Sequence, residues 1–321
     1  MPNPRGYTIA VASAVILSTT AIFIRYLTEN FDMPPLVLAF WRDVFVTLTL
    51  IIVLGWGRPA LLRVGSNHGR YLAAYGFVLA IFNALWTLSV AQNGAAVATV
   101  LVYSSTGFTV LLGWWVLNER LDWAKGLAVV LCIGGCALVS EAVQPGVWQS
   151  NLLGIVTGIL SGLSYAVYSL MGRSASQRGL NPWTTLLYTF GIAALWLLAF
   201  NALPERMLSG TASRVADLWW LGDAVKGWGA LILLAAGPTV LGFGLYNLSL
   251  KALPSSIANL IVSLEPASTA VIAYLLLGER LSGMQIGGSL VLLGGVIFLR
   301  VYEGRVVSLA RLRAAEGVAL D

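Results

Sequence analysis

The chain has 321 residues, of which 58% are hydrophobic and only 10% charged, with a formal net charge of +5. An average soluble domain carries about 25% charged residues, so a water-soluble fold is excluded: this much apolar surface must face lipid. The positive charge does not point to nucleic acid, because no basic stripe interleaved with aromatic residues is present.

A bilayer core of about 30 Å takes about 20 apolar residues per helix. On that measure, spans are predicted near 7–27, 35–55, 70–91, 94–117, 123–141, 152–172, 182–202, 228–250, 253–277 and 283–302. The first apolar run, from Arg5 to about Tyr26, is longer than the core of a cleaved signal peptide and is read as the first span. The second carries Arg42 beside Asp43. Adjacent helical residues point about 100° apart, so these two are not expected to satisfy each other. Arg42 is then free to hold a substrate carboxylate or to pair with an acidic residue on another helix. The fifth holds Cys132 and Cys136 on one face, read as structural filler.

The sixth span shows Gly154, Gly158 and Gly162 at four-residue spacing, a close-packing face within the monomer or in a dimer. The linker near 203–227 contains Asp217-Leu218-Trp219-Trp220-Leu221, read as a membrane-surface helix, with a substrate lid as the alternative. Trp114, Trp115, Trp123, Trp148 and Trp183 fall near span ends and read as interfacial belt residues. Gly237, Pro238, Gly242 and Gly244 soften the eighth span, where Pro238 is a candidate hinge. In the ninth, Glu265 lies near mid-membrane, where a carboxylate is expensive unless it faces protein or water. Pro266 follows it as a second hinge, removing a backbone donor and disrupting the ladder around residue 262.

Basic residues set the expected orientation. With both termini cytoplasmic, thirteen of the 19 Lys and Arg fall inside, five fall outside and Arg42 stays within a span. An odd number of spans destroys that asymmetry.

The sequence repeats itself. Asn118-Glu119-Arg120-Leu121 follows the fourth span and Gly278-Glu279-Arg280-Leu281 the ninth, and adding 160 to a first-half number gives its second-half mate. Leu88-Ser89 pairs with Leu248-Ser249, Thr109 with Thr269, and Gly134-Gly135 with Gly294-Gly295. The expected division is 1–145 and 146–303 for the two repeats, with a cytoplasmic basic tail at 304–321. Five spans per repeat is an odd number, so the halves enter the membrane in opposite senses. Two packings exchanged between such halves give inward-open and outward-open states of similar energy around a central site. The architecture expected is therefore an all-α polytopic membrane protein of about ten helices, two inverted five-helix halves.

Pro34-Pro35 and Phe40-Trp41-Arg42 in the second span, Tyr103 in the fourth and Leu264-Glu265-Pro266 in the ninth join the two Glu-Arg-Leu segments in order and spacing. With these pieces the chain resembles the EamA family of the drug/metabolite transporter superfamily over nearly its full length. The resemblance implies ten helices, a central cavity and export of amino acids or other metabolites. Many relatives carry Trp where Leu17 stands here and Pro where Thr106 stands.

The substrate-binding candidates are Glu265, Arg42, Asn83, Trp86, Thr87, Tyr103, Ser104, Ser105, Tyr165, Tyr168, Tyr246, Asn247 and Asn259, with Ser164 in the same polar and aromatic set. Apolar walls with sparse polar groups suit an amphiphilic solute; interhelical hydrogen bonding is the structural alternative. A carboxylate beside a weakened helix suits amine recognition or proton coupling.

The expectation is a secondary transporter working by alternating access in a bacterial inner membrane, exporting amino acids or similar small metabolites. A multidrug or lipophilic-cation exporter is the nearest alternative. An intramembrane enzyme lacks a visible nucleophile and base or metal cluster, and a channel lacks a pore-lining ring. The sole histidine, His68, lies in a loop. No cofactor and no nucleic-acid partner are expected; the partners are a small solute and the bilayer, with the chain monomeric or dimeric.

Overall fold

The computed structural model describes residues 4–117, 121–141, 144, 146, 151–205, 207–212, 214–253 and 255–318. Eight of its helices are long and apolar enough to cross a bilayer, and the shorter apolar helices Trp123–Val139 and Glu265–Leu277 complete ten spans. Among the described residues there is no strand. The first three spans are Pro4–Asn30, Pro35–Gly57 and Gly69–Asn93; the sixth and seventh are Leu152–Gln177 and Pro182–Asn201. The tenth helix does not stop at the bilayer but continues from Gly283 to Val318.

Two spans are broken. The fourth consists of Ala95–Val102 and Ser105–Leu117, the ninth of Ser255–Val262 and Glu265–Leu277. All four bounds differ by the repeat offset of 160. Both breaks are tightened by short-range bonds: Ser104 N donates to Leu101 O at 3.0 Å, and Leu264 N to Ile261 O at 3.0 Å. Pro266 occupies the first turn of the second piece, where its missing N–H removes nothing the helix needs. The eighth span is interrupted differently. Between Val225–Leu234 and Phe243–Ala252 lies a π-helical stretch, Ala235–Gly242, with Pro238 inside it. The proline ring collides with the carbonyl four residues earlier, Leu234 O. The ladder widens there, and the Thr239 hydroxyl donates to that carbonyl at 3.1 Å.

The repeat is inverted in space. The fifth and tenth spans are repeat mates, and a Cβ built on Gly135 meets Leu292, one on Gly288 meets Val139 and one on Gly295 meets Leu131. As the number rises in one helix it falls in the other, so equivalent helices run antiparallel. The second and seventh pair likewise, with Asn201 Nδ2 donating to Leu36 O at 3.0 Å and Gly191 against Thr47. The remaining mates cross over. The first span packs along the eighth, where Ser13 Oγ donates to Gly242 O at 2.9 Å. The third packs along the sixth, where Asn93 Nδ2 donates to Gly154 O at 2.8 Å.

That last contact settles the glycine stripe within the chain. Cβ atoms on Gly158 and Gly162 would stand 2.5 Å from Leu101 Cδ1 and 2.1 Å from Ser104 Oγ. The stripe is where the third and fourth spans approach the sixth. The Trp-rich linker forms one 3-10 turn, Val215–Trp219, rather than a surface α-helix. It is pinned to the second span: Trp41 Nε1 donates to Leu218 O at 2.6 Å, and the Trp41 ring lies 4.8 Å from Trp219 and 5.1 Å from Trp228. Trp114, Trp115 and Trp123 point outward, Trp183 packs on Gly244, and Trp148 lies outside the described residues.

Candidate functional site

A cavity of about 220 Å³ lies between the halves. Among the described residues, its lining comes from every span except the fifth, and five repeat pairs face it together: Leu79 with Thr239, Asn83 with Phe243, Trp86 with Tyr246, Val102 with Val262, and Ser105 with Glu265. The cavity therefore sits on the pseudo-twofold relation between the halves, at both helix breaks.

The breaks meet inside it. The Tyr103 hydroxyl reaches Glu265 Oε2 at 3.0 Å and the Val262 carbonyl at 3.1 Å. Val262 is the last residue before its own break, so its carbonyl is one that the helix leaves unpaired. A single phenolic proton thus serves two acceptors when Glu265 is ionised. When Glu265 is protonated it donates to the phenol, which donates to the carbonyl.

Arg42, another lining residue, and its neighbour Asp43 are 3% and 0% exposed. Contrary to the helical-wheel expectation, they bond each other: Arg42 Nε and Nη2 both lie 3.2 Å from Asp43 Oδ1. The wheel argument concerns Cβ directions. The long arginine chain folds back across that angle, and burial leaves it every reason to do so. Asn83 Nδ2 donates to Asp43 Oδ2 at 2.6 Å, and the Arg42 guanidinium lies 5.7 Å from the Trp86 ring. Phe82 stacks on Trp86 at 6.1 Å and 14° and touches Tyr165 at 5.1 Å. Trp86 Nε1 is buried without an acceptor among the described residues.

Of the candidates named from the sequence, Glu265, Arg42, Asn83, Trp86, Tyr103, Ser105, Tyr165, Tyr168 and Tyr246 line this cavity. Thr87 and Ser104 are buried in helix packing, and neither they nor Asn247 and Ser164 are among its lining residues. Asn259 lies in the ninth span, but its side chain is outside the described residues, as are Asn118, Glu119 and Arg120. Of the two hinge candidates, Pro238 lies in the π-helical stretch and Pro266 at the ninth-span break.

The EamA-like transporter family matches residues 4–141 and again 152–301. The chain belongs to that family. It is 26% identical to an uncharacterized transporter of Archaeoglobus fulgidus over 91% of this chain and 95% of that one. It is 24% identical to a probable amino-acid metabolite efflux pump of Salmonella typhimurium over 87% of this chain and 90% of the relative. The same description is carried by an Escherichia coli protein at 23% identity over 84% and 87%. A protein of known crystal structure superposes with a TM-score of 0.59 at 17% identity, covering 94% of this chain and 99% of its own, a likeness of fold. This EamA protein is thus a multi-pass membrane transporter, one of a family of transporters rather than enzymes.

Sequence reasoning missed several cavity residues of this EamA transporter. Arg300 lines the cavity although it ends the tenth apolar run and counts among the thirteen basic residues expected on the cytoplasmic side. It shares that lining with Glu265. The π-helical stretch brings in Thr239, a residue without a sequence signal of its own beyond the neighbouring proline. Leu17 and Thr106, the two departures from the common family residues, both face the cavity. That was the one sequence feature that marked them.

Proposed function

We propose that the cavity is the solute site of a secondary transporter that exports amino acids or similar small metabolites by alternating access. The observation that carries this reading is the cavity's position: it lies between inverted halves, with both broken helices ending in it. Two pseudo-equivalent arrangements of such halves can expose one site to either face. The charges around it support a zwitterion over a net cation. Arg42 is balanced by Asp43, and Glu265 shares the cavity with Arg300. Counting Asp43, the set is two cations and two carboxylates, so both signs are present and the whole stays near neutral. The Trp86 N–H is a donor awaiting an acceptor, and the ring cluster of Phe82, Trp86 and Tyr165 supplies apolar contact area. The efflux-pump relatives add weight to export of amino-acid metabolites. In this reading the host membrane is a bacterial inner membrane, with both termini cytoplasmic, as the distribution of Lys and Arg supports.

A lipophilic-cation exporter is the rival, favoured by Glu265 among aromatic rings. Counterflow in proteoliposomes separates the two. A labelled neutral or zwitterionic amino acid should exchange with saturable kinetics, and unlabelled zwitterions should compete better than lipophilic cations. Flux linear in concentration for every solute defeats the carrier reading; competition by cations alone defeats the zwitterion.

A further inference from the structure

Gly278 ends the ninth span in the left-handed conformation, φ +68°. That turn directs Glu279 across to the other half. Its Oε1 accepts from Ala95 N at 2.8 Å and its Oε2 from Ala96 N at 3.1 Å. These are the first two amides of the fourth span, whose unpaired donors and helix dipole attract an anion. Gly94 precedes them at φ +83°, and a Cβ there would stand 2.9 Å from Glu279 Oε1. The seat is shaped for a carboxylate, with successive amides exposed at a turn. Arg25 adds a cation beside it: its Nε lies 3.6 Å from Glu279, while Nη1 donates to Ala91 O at 2.6 Å and Nη2 pairs with Glu29 at 2.5 Å. Among the described residues, the partners of the Glu279 carboxylate, Ala95, Ala96 and Arg25, all belong to the first half of the chain.

The helix that starts in this seat, Ala95–Val102, ends at Tyr103 in the cavity. The helix that ends at Gly278 starts at Glu265. Two antiparallel arms therefore run side by side, tied at the cavity by Tyr103 and Glu265 and at the far end by Glu279. The shorter arm is about 12 Å long at 1.5 Å per residue, so the two ties are mechanically close.

We propose that Glu279 is the latch of one gate, a positioning residue that holds the halves together at this end of the cavity. Release of its two amide bonds lets the fourth and ninth spans part. A solute that engages Glu265 or Tyr103 unties the inner end of the same pair of arms and leaves Glu279 as the remaining tie. That coupling rests on the cavity being the solute site; the latch itself rests on the geometry alone.

Distances between the halves test it without any solute. Spin labels at Asn30→Cys and Gly283→Cys, with Cys132 and Cys136 replaced by alanine, occupy exposed positions, one in each half of the chain. In Glu279→Gln the distance distribution should gain a population longer by about 5 Å, of the order of one helical turn. Glu279→Asp, which keeps the charge, should retain mostly the original distance. Gly94→Ala leaves Glu279 in place but fills its seat, and should widen the gate as Glu279→Gln does. An unchanged distribution in any Glu279→Gln or Gly94→Ala protein that elutes and melts like the parent overturns the latch. Absence of saturable counterflow in the parent protein, whose latch is intact, instead counts against the cavity as the solute site and leaves the distance result standing.

Discussion

The fourth and ninth spans are broken at equivalent residues, yet only one of them has a proline. Thr106 stands where Pro266 stands, and Ser105 where Glu265 stands. The geometry is the same and the chemistry differs. In the fourth span Thr106 N donates to Tyr103 O at 3.1 Å, a tightened turn made with the very N–H that Pro266 lacks. A break of this geometry thus forms without proline in the fourth span. What the breaks share is their placement at the crossing of two antiparallel mates, where Tyr103 spans the gap to Val262 and Glu265. The difference between them assigns the charge. One half contributes a carboxylate at its break; the other contributes a neutral hydroxyl there and carries its charges in the second span, as the Arg42–Asp43 pair.

The largest expected effect comes from unbalancing that pair. Asp43→Asn leaves Arg42 buried without its counter-charge, which costs about 3 kcal/mol or more. The double change Arg42→Met with Asp43→Leu removes both charges and should recover most of that loss, because the two effects are not additive. Thermal unfolding in detergent reads both. Equal destabilisation of the single and double variants breaks the assignment of Asp43 as the counter-charge.

The carboxylate and its hydroxyl mate should differ next. A hydrogen bond to a charged group is worth about 1.5–3 kcal/mol and a neutral one about 1. The KM for the best-competing amino acid should therefore rise roughly ten- to a hundredfold in Glu265→Gln and about fivefold or less in Ser105→Ala. Flux through Glu265→Gln should also lose whatever pH dependence the parent shows, since the Tyr103 proton no longer has two arrangements to choose between. Matching KM values for the two variants erase the distinction between the breaks.

How much of this was legible in the sequence follows from what each signal measures. Span count, repeat and inversion rest on hydropathy over about twenty residues and on the offset of 160, long-range signals that survive local detail. Glu265 stood out because a lone carboxylate in an apolar run has few structural excuses. Arg300 did not, because a cation at the end of such a run is the common pattern at the membrane surface. Thr87 and Asn247 carry the same residue types as cavity residues, but helix rotation, which the polar pattern of a mostly apolar span leaves undetermined, turns them elsewhere. The Arg42–Asp43 bond escaped because side-chain reach overrides the angle between neighbouring Cβ atoms. The fourth-span break escaped because no residue in it breaks helices; only its alignment with Leu264-Glu265-Pro266 pointed there.

That alignment suggests the smallest effect and the sharpest comparison. If the break is a property of the crossing and not of proline, exchanging the residues should matter little. Thr106→Pro loses the bond from Thr106 N to Tyr103 O, but it does so in the first turn of Ser105–Leu117, where proline is tolerated. Pro266→Ala restores a donor to the first turn of Glu265–Leu277, where the helix has no use for it. Each change should alter stability by no more than about 1 kcal/mol, a small shift of the melting midpoint. Backbone amide exchange should still mark residues 263–264 as a discontinuity in Pro266→Ala. A continuous, protected helix through that point would show instead that the ninth span owes its break to the proline and the fourth to something else, and the two regions would no longer be one device used twice.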